Sequence, residues 1–305
     1  MKKKILITGS NGLLGQKLAE LLLPRTDIEL LATSRGENKL KDLYSNLPFA
    51  AMDVTDPEQV EQVVSQHKPT HIIHTAAMTN VDQCESDREM ALKLNRDAVQ
   101  YLVDACEKHN VHLVHLSTDF IFDGEAGPYK EDAAANPISF YGETKLMAEE
   151  IVKKANCKWA ILRTVLVYGV VHEYGRTNIV LWVRDSLRSG KQIKVVTDQF
   201  RTPTLAEDLA MGCWLAVQHD AEGIYNISGK EMLTPYDMAL MVADYFDLDK
   251  SLIEKADAST FSQPAKRPPR TGFDITKAET ELGYKPHSFQ EGIGMVAAQA
   301  DKLAR

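Results

Sequence analysis

Tyr141 and Lys145 stand four residues apart in the segment Tyr141-Gly142-Glu143-Thr144-Lys145. On a helix that spacing puts both side chains on one face, where an ammonium lowers the pKa of a neighbouring phenol and makes it a better proton donor. Such pairs are common by chance, so position decides. This one opens a predicted helix, Ser139–Lys154, that follows the predicted strand Val111–Ser117. The strand runs into Ser117-Thr118-Asp119, a polar cluster at the end where a parallel sheet opens its ligand crevice. Three roles are then available in one place. Tyr141 delivers a proton, Lys145 keeps it poised, and Thr118 holds a reacting carbonyl.

A second chemistry lies near the N-terminus, in Gly9-Ser10-Asn11-Gly12-Leu13-Leu14-Gly15. Glycines allow a tight turn and close backbone approach, and the start of the following helix offers unpaired N–H groups and a partial positive charge to a pyrophosphate. With the strand Lys4–Thr8 before it and the helix Leu13–Leu23 after it, the loop reads as a dinucleotide site with Gly9, Asn11, Gly12, Leu13, Leu14 and Gly15 at the cofactor. At the end of the next strand, where an NAD site usually has an acid, stand Ser34 and Arg35. A hydroxyl and a guanidinium suit a 2′-phosphate, so NADP(H) is the expected cofactor. Asp53, with Val54 beside it, either accepts from the adenine amino group or is a turn aspartate ahead of Asp56-Pro57.

The elements that must position these residues alternate in the order of a parallel sheet covered by helices on both faces. Strands are predicted at Lys4–Thr8, Glu29–Thr33, Phe49–Ala51, His71–Thr75, Val111–Ser117 and Trp159–Arg163, and helices at Leu13–Leu23, Pro57–Gln66, Arg88–His109 and Ser139–Lys154. Beyond about residue 168 the pattern loosens, with helices at Asn178–Ser189, Leu205–Gln218 and Pro235–Phe246. The expected fold is therefore a Rossmann-type doubly wound α/β sheet over 1–168 and a smaller α/β substrate lobe over 169–305, with interleaved segments.

The 305 residues carry 35 Lys plus Arg against 43 Asp plus Glu, a formal charge of −8 that argues against a nucleic-acid surface. With 44% hydrophobic and 26% charged residues, the composition is that of an ordinary globular protein. MKKKILITGS lacks the apolar core of a signal peptide, and no segment has the roughly 20 apolar residues of a membrane span. Cys84, Cys106, Cys157 and Cys213 form no CxxC pair, so free thiols in a reducing cytoplasm are expected, and no residue cluster demands a metal.

The chain resembles the extended short-chain dehydrogenase/reductases, and within them the dTDP-4-dehydrorhamnose reductases. The resemblance runs through TGSNGLLG at 8–15, MDVTD at 52–56, HTAA at 74–77, VDQCE at 81–85, LSTDFIFDG at 116–124, YGETKLMAE at 141–149, LRTVLVYG at 162–169, VVTDQFRTPTLAEDLA at 195–210, IYNISG at 224–229 and RPPRTGFDITKAETELGY at 267–284. It implies a Thr118/Tyr141/Lys145 catalytic set reducing the C4 carbonyl of a nucleotide-linked 4-keto-6-deoxy sugar, with Lys145 also holding the nicotinamide ribose. It extends the cofactor set to Ala76 and Ala77, matches Asn95 to the family's helix asparagine, and permits a homodimer. A diphosphate substrate calls for arginines, of which Arg201, Arg267 and Arg270 are the candidates, with Asp119 near the reacting end. Two positions depart from the family. Arg201 replaces the usual glycine, and Leu166 replaces a tryptophan that packs on the sugar, keeping apolar contact but losing the flat ring face. Two alternatives share parts of the resemblance: a non-catalytic NADP-binding regulatory protein like the methionine adenosyltransferase beta subunit, and a sugar-nucleotide epimerase or dehydratase, which would place an acid where Arg35 stands.

Overall fold

The structure is a computed structural model that describes residues 2–172 and 178–303. Its first half runs β1 (Lys3–Thr8), α1 (Leu13–Leu22), β2 (Ile28–Ser34), β3 (Phe49–Ala51), α2 (Pro57–His67), β4 (His71–His74), α3 (Val81–Ser86), α4 (Arg88–Leu92), α5 (Ala98–His109), β5 (His112–Thr118), α6 (Phe140–Lys153) and β6 (Trp159–Thr164). The second half runs β7 (Val167–Tyr168), α7 (Ile179–Arg188), β8 (Ile193–Val196), β9 (Thr204–Leu205), α8 (Ala206–Gln218), β10 (Gly223–Asn226), α9 (Pro235–Tyr245), β11 (Ile253–Ala256) and α10 (Phe289–Leu303).

Seven parallel strands form the main sheet in the order β3-β2-β1-β4-β5-β6-β10. The chain winds outward from β1 in one direction and from β4 in the other. The crevice between their carboxyl ends is thus the switch point at which open α/β sheets bind ligands. Ile5, Leu6 and Ile7 are buried because β1 is covered on both faces. Ile5 and Ile7 pack with Leu18 and Leu22 of α1 and Leu209 and Cys213 of α8. Leu6 faces the other way, onto Val60 and Val64 of α2, Leu102 of α5 and Val152 of α6. Alternation along one strand therefore assigns the helices to two layers.

Local signals set the boundaries. Asp56 accepts from the N–H groups of Glu58 and Gln59 and precedes Pro57, which begins α2 as the sequence suggests. The helix expected as one piece over Arg88–His109 is interrupted: α4 is capped by Asp87, and the turn Lys93–Asp97 widens to π geometry around Asn95 before α5 resumes. Periodicity alone does not show such a widening, because the apolar face continues through it.

Residues past 168 serve both parts of the molecule. α8 packs on α1, and β10 pairs with β6 as the seventh strand, with Gly223 opposite Ala160. No strand was expected there, since Gly-Ile-Tyr-Asn is short and only half apolar. The second core gathers Tyr168, Val180, Val183, Ile193, Met238, Val242, Ile293 and Val296 around the small β8/β11 and β7/β9 sheets. All four cysteines are buried and free. Among the described residues no helix is long and apolar enough to cross a membrane.

Candidate active site

The turn after β1 is shaped by what its glycines lack. Gly9 has φ +67°, and a Cβ there would lie 2.9 Å from the backbone of Ala76. A Cβ on Gly15 would lie 2.4 Å from the Gly9 carbonyl oxygen. α1 can therefore start hard against the β1/β4 crevice only with glycine at both positions. Gly12 caps α1 with no side-chain hydrogen bond, so the helix presents its first-turn N–H groups unblocked. Gly12, Leu13, Leu14 and Ala77 line a cavity of about 680 Å³ at this edge.

Asn11 faces elsewhere. Its amide donates to the Glu37 carbonyl at 2.9 Å and accepts from the Lys39 N–H at 3.1 Å, which fixes the loop carrying Ser34 and exposed Arg35. Asp53 accepts from the N–H and hydroxyl of Thr55 at 2.9 and 2.8 Å, the local turn that was one of its two readings. Val54 is a core residue on the α2 side of the sheet. Ser34, Arg35, Asp53 and Val54 thus flank the carboxyl ends of β2 and β3, outside the cavity lining.

Thr118, Tyr141 and Lys145 are buried and line the same cavity as the glycine turn. Gly142 brings this about: a Cβ there would lie 2.1 Å from the Phe120 carbonyl oxygen, so only glycine lets α6 begin against the end of β5. Ser139 caps α6, accepting from the Gly142 N–H, and Glu85 accepts from the Phe140 N–H at 2.7 Å. Lys145 Nζ donates to the Leu116 carbonyl at 2.6 Å and lies 3.4 Å from His115 Nε2. Burial lowers the Lys145 pKa to about 8. Burial also raises the Tyr141 phenol, and the Asp119 carboxylate adds to the rise. The Thr118 hydroxyl pulls the Tyr141 phenol back down, while the Lys145 ammonium is held at the Leu116 carbonyl.

Asn95, expected at the cofactor, bonds to protein groups in this structure. It is buried, accepting from the Met78 N–H at 2.8 Å and donating to the Met78 carbonyl at 3.0 Å and Thr144 Oγ1 at 3.1 Å. These bonds clip the segment after β4 to α6, which makes Asn95 a tie between the elements that carry the reacting residues.

On the substrate side, Leu166 lines the cavity, remains 41% exposed and adopts φ +35°. A branched residue in left-handed backbone is strained, a feature that clusters at ligand sites. Arg267 also lines the cavity and pairs with Asp82 through two contacts, 2.7 and 3.2 Å. Arg201 does not reach the cavity. Its guanidinium is buried and donates to the carbonyls of Pro268, Phe200 and Pro269, at 2.6, 2.7 and 3.4 Å. The expected diphosphate contact is thus a brace for the segment that carries Arg267. Arg270 is exposed and stacks over Phe200. Asp119 lines the cavity, but its carboxylate accepts from Thr118 and Thr271 and lies 3.9 Å from Arg201 Nε. Asp82 and Thr271 were not singled out from the sequence, where a lone acid and a lone hydroxyl give no signal until the loop folds onto them.

A groove of similar size, about 690 Å³, runs between α5 and α6 past Val103, Leu146, Met147 and Ile151. It contains neither the glycine turn nor the hydroxyl cluster, so the chemistry belongs to the sheet edge.

Comparison with known proteins agrees with this arrangement. The chain is 32% identical to a dTDP-4-dehydrorhamnose reductase of Aggregatibacter actinomycetemcomitans, over 98% of this chain and 99% of that one. It is 32% identical to methionine adenosyltransferase 2 subunit beta of Xenopus tropicalis, over 82% of this chain and 74% of that one. The solved structure of dTDP-4-dehydrorhamnose reductase from Bacillus anthracis str. Ames in complex with NADP superposes with a TM-score of 0.85 at 29% identity, covering 98% of this chain and 100% of the other. Residues 2–302 match the family described as RmlD substrate binding domain, and this chain, an extended short-chain dehydrogenase/reductase in fold, belongs to that family.

Proposed function

We propose that this chain uses NADPH to reduce the C4 carbonyl of a nucleotide-linked 4-keto-6-deoxy sugar. One observation carries the reading: the start of α1, where Gly12 brings no side-chain cap, the Thr118/Tyr141/Lys145 group and Arg267 all open into one cavity. The names of the Aggregatibacter and Bacillus anthracis relatives, and the NADP in the latter's structure, support it.

The residues fit the cofactor. Glycine at 9 and 15 lets the turn fold back on itself and on Ala76, which sets the start of α1 at the crevice, where Gly12, Leu13 and Leu14 would hold a pyrophosphate. Ser34 and Arg35 would take the 2′-phosphate, and Lys145 the nicotinamide ribose. When bound, NADPH supplies the hydride.

The chain's own side chains manage the oxygen. The Thr118 hydroxyl, which donates to Asp119 at 3.1 Å, would turn to the sugar carbonyl and stabilise the negative charge growing there. Tyr141 protonates the resulting alkoxide. A phenol held protonated by burial carries the proton reliably, and a ribose-bound ammonium beside it makes release easier. Arg267 shifts its fork from Asp82 to the diphosphate. A cytoplasmic setting suits the four free thiols, and a homodimer belongs to the same reading.

The test is NADPH consumption by the purified protein supplied with dTDP-4-keto-6-deoxy-L-mannose. Rapid oxidation with formation of the 4-hydroxy sugar is expected. No oxidation while NADPH still binds would sink the proposal and favour a non-catalytic NADP-binding protein, such as a subunit of a larger enzyme of the kind the Xenopus relative's name describes.

A further inference from the structure

The amino-terminal edge of the sheet, opposite the reacting cavity, holds a second cluster. His71 begins β4, His112 begins β5, and the two are partners in the strand register with ring centroids 5.1 Å apart. Asp220, in the turn between α8 and β10, reaches the same point with φ +48°. One donor atom from each of the three lies within 4.8 Å of the others. We infer that His71, His112 and Asp220 form a binding site for a first-row divalent transition metal, with Zn²⁺ the best match.

Two features make this more than a chance meeting of side chains. His112 is 4% exposed, and neither ring nitrogen makes a hydrogen bond of good geometry; the ring's one polar approach is to the Ala221 backbone, which leaves a nitrogen available to a ligand. Buried polar groups in folded proteins are almost always partnered, and a metal–imidazole bond would supply the partner that this ring lacks. His71 has a fixed orientation: Nδ1 pairs with Thr70 Oγ1 at 2.9 Å, which leaves Nε2 2.8 Å from Asp220 Oδ1. A ligand histidine oriented through its other nitrogen is the usual outer-shell arrangement of metal sites.

The donor set selects the metal class. Two imidazoles and one carboxylate suit Zn²⁺ and its neighbours, whereas Mg²⁺ and Ca²⁺ require mainly oxygen. Three protein ligands leave one tetrahedral position for water. The carboxylate side of the site is open, because the Asp220 side chain is 55% exposed. Lys3 competes for this position: its Nζ lies 2.6 Å from Asp220 Oδ1 and is also bonded to the Val217 carbonyl. A metal must displace that flexible ammonium. The nearby Lys158–Glu222 pair at 2.9 Å is close to charge-neutral.

The site clamps the fold and takes no part in reduction. Thr118 lies at the other end of β5, about 20 Å away at roughly 3.3 Å per residue. The ligands come from β4, β5 and the turn entering β10, so a metal would fasten the seventh strand to the centre of the sheet. It would stabilise the folded state by mass action.

The test titrates ZnCl₂ into the full-length, chelator-treated protein by calorimetry, with melting temperature followed in parallel. Binding of one equivalent at micromolar affinity or better, with a rise in melting temperature, is expected. Co²⁺ in its place should give the visible absorption of a tetrahedral site. Asp220→Asn and His112→Phe should each weaken binding at least about tenfold, and Lys3→Met should strengthen it. NADPH oxidation should be unaffected by chelator. Should His112→Phe fail to fold, the variants at exposed Asp220 and half-buried Lys3 still decide the matter. No stoichiometric binding, or equal binding by wild type and Asp220→Asn, would overturn the inference.

Discussion

Lys145 Nζ lies 2.6 Å from the carbonyl oxygen of Leu116, so the ammonium of α6 is fastened to the strand that ends in Thr118. The bond sets the spacing of the whole reacting group, because α6 also carries Tyr141. Burial of this ammonium lowers its pKa to about 8. In the unfolded chain it would titrate near 10.4. Below about pH 8 both states hold the proton and the folded state bears the full cost of a buried charge. Between that pH and about 10.4 the unfolded chain binds more protons, so the contribution to stability rises with pH. Melting curves of wild type and Lys145→Met should therefore converge toward, or invert in favour of, wild type as pH is raised through this window. A constant difference across it would contradict the assignment.

Arg35 is exposed at the end of β2, on a loop pinned by Asn11. Arg35→Asp removes a charge-assisted contact and adds repulsion, so the NADPH dissociation constant should rise by about tenfold or more, with little change for NADH. Fluorescence titration with both cofactors reads this directly. Equal weakening of the two would show that Arg35 does not meet the 2′-phosphate.

Arg201 and Arg267 should part company. Arg201 is enclosed by the carbonyls of Pro268 and Phe200, and Arg201→Met should lower stability by about 3 kcal/mol, the scale for stripping a buried charge network. Arg267 lines the cavity, and Arg267→Ala should raise KM for the nucleotide sugar by about tenfold with a small change in melting temperature. Denaturant unfolding and steady-state kinetics separate the two. A KM effect confined to Arg201→Met would reverse the assignments.

Leu166 is held at φ +35° at the cavity wall. Leu166→Gly should relieve about 1 kcal/mol of backbone strain while loosening the apolar contact offered to the sugar. The expected result is a slightly higher melting temperature with reduced discrimination between keto sugars. A lower melting temperature would mean that the side chain packs better than its exposure indicates.

Much of this was readable in the sequence because the signals were local. The glycine turn, the Asp56-Pro57 cap and the runs at Ile5–Ile7 and Val111–Ser117 each carry their own structural reason, and they yield the doubly wound sheet and the placement of Thr118, Tyr141 and Lys145. What stayed hidden depended on chain-distant contacts. Arg201 reads as a substrate arginine until Pro268 and Pro269 fold over it. Asn95 reads as a ligand until it meets Met78 and Thr144. The His71/His112/Asp220 cluster unites three segments with no common motif, and β10 is too short to announce itself.

The proton donor is the centre of the account, and Tyr141→Phe tests it most directly when turnover and NADPH binding are measured on the same preparation. The phenol lies in the cavity beside Thr118, and removing its hydroxyl leaves the glycine turn and Arg35 intact. Turnover should fall at least about 100-fold with the NADPH dissociation constant unchanged within about twofold. Near-normal turnover by Tyr141→Phe would contradict the assignment.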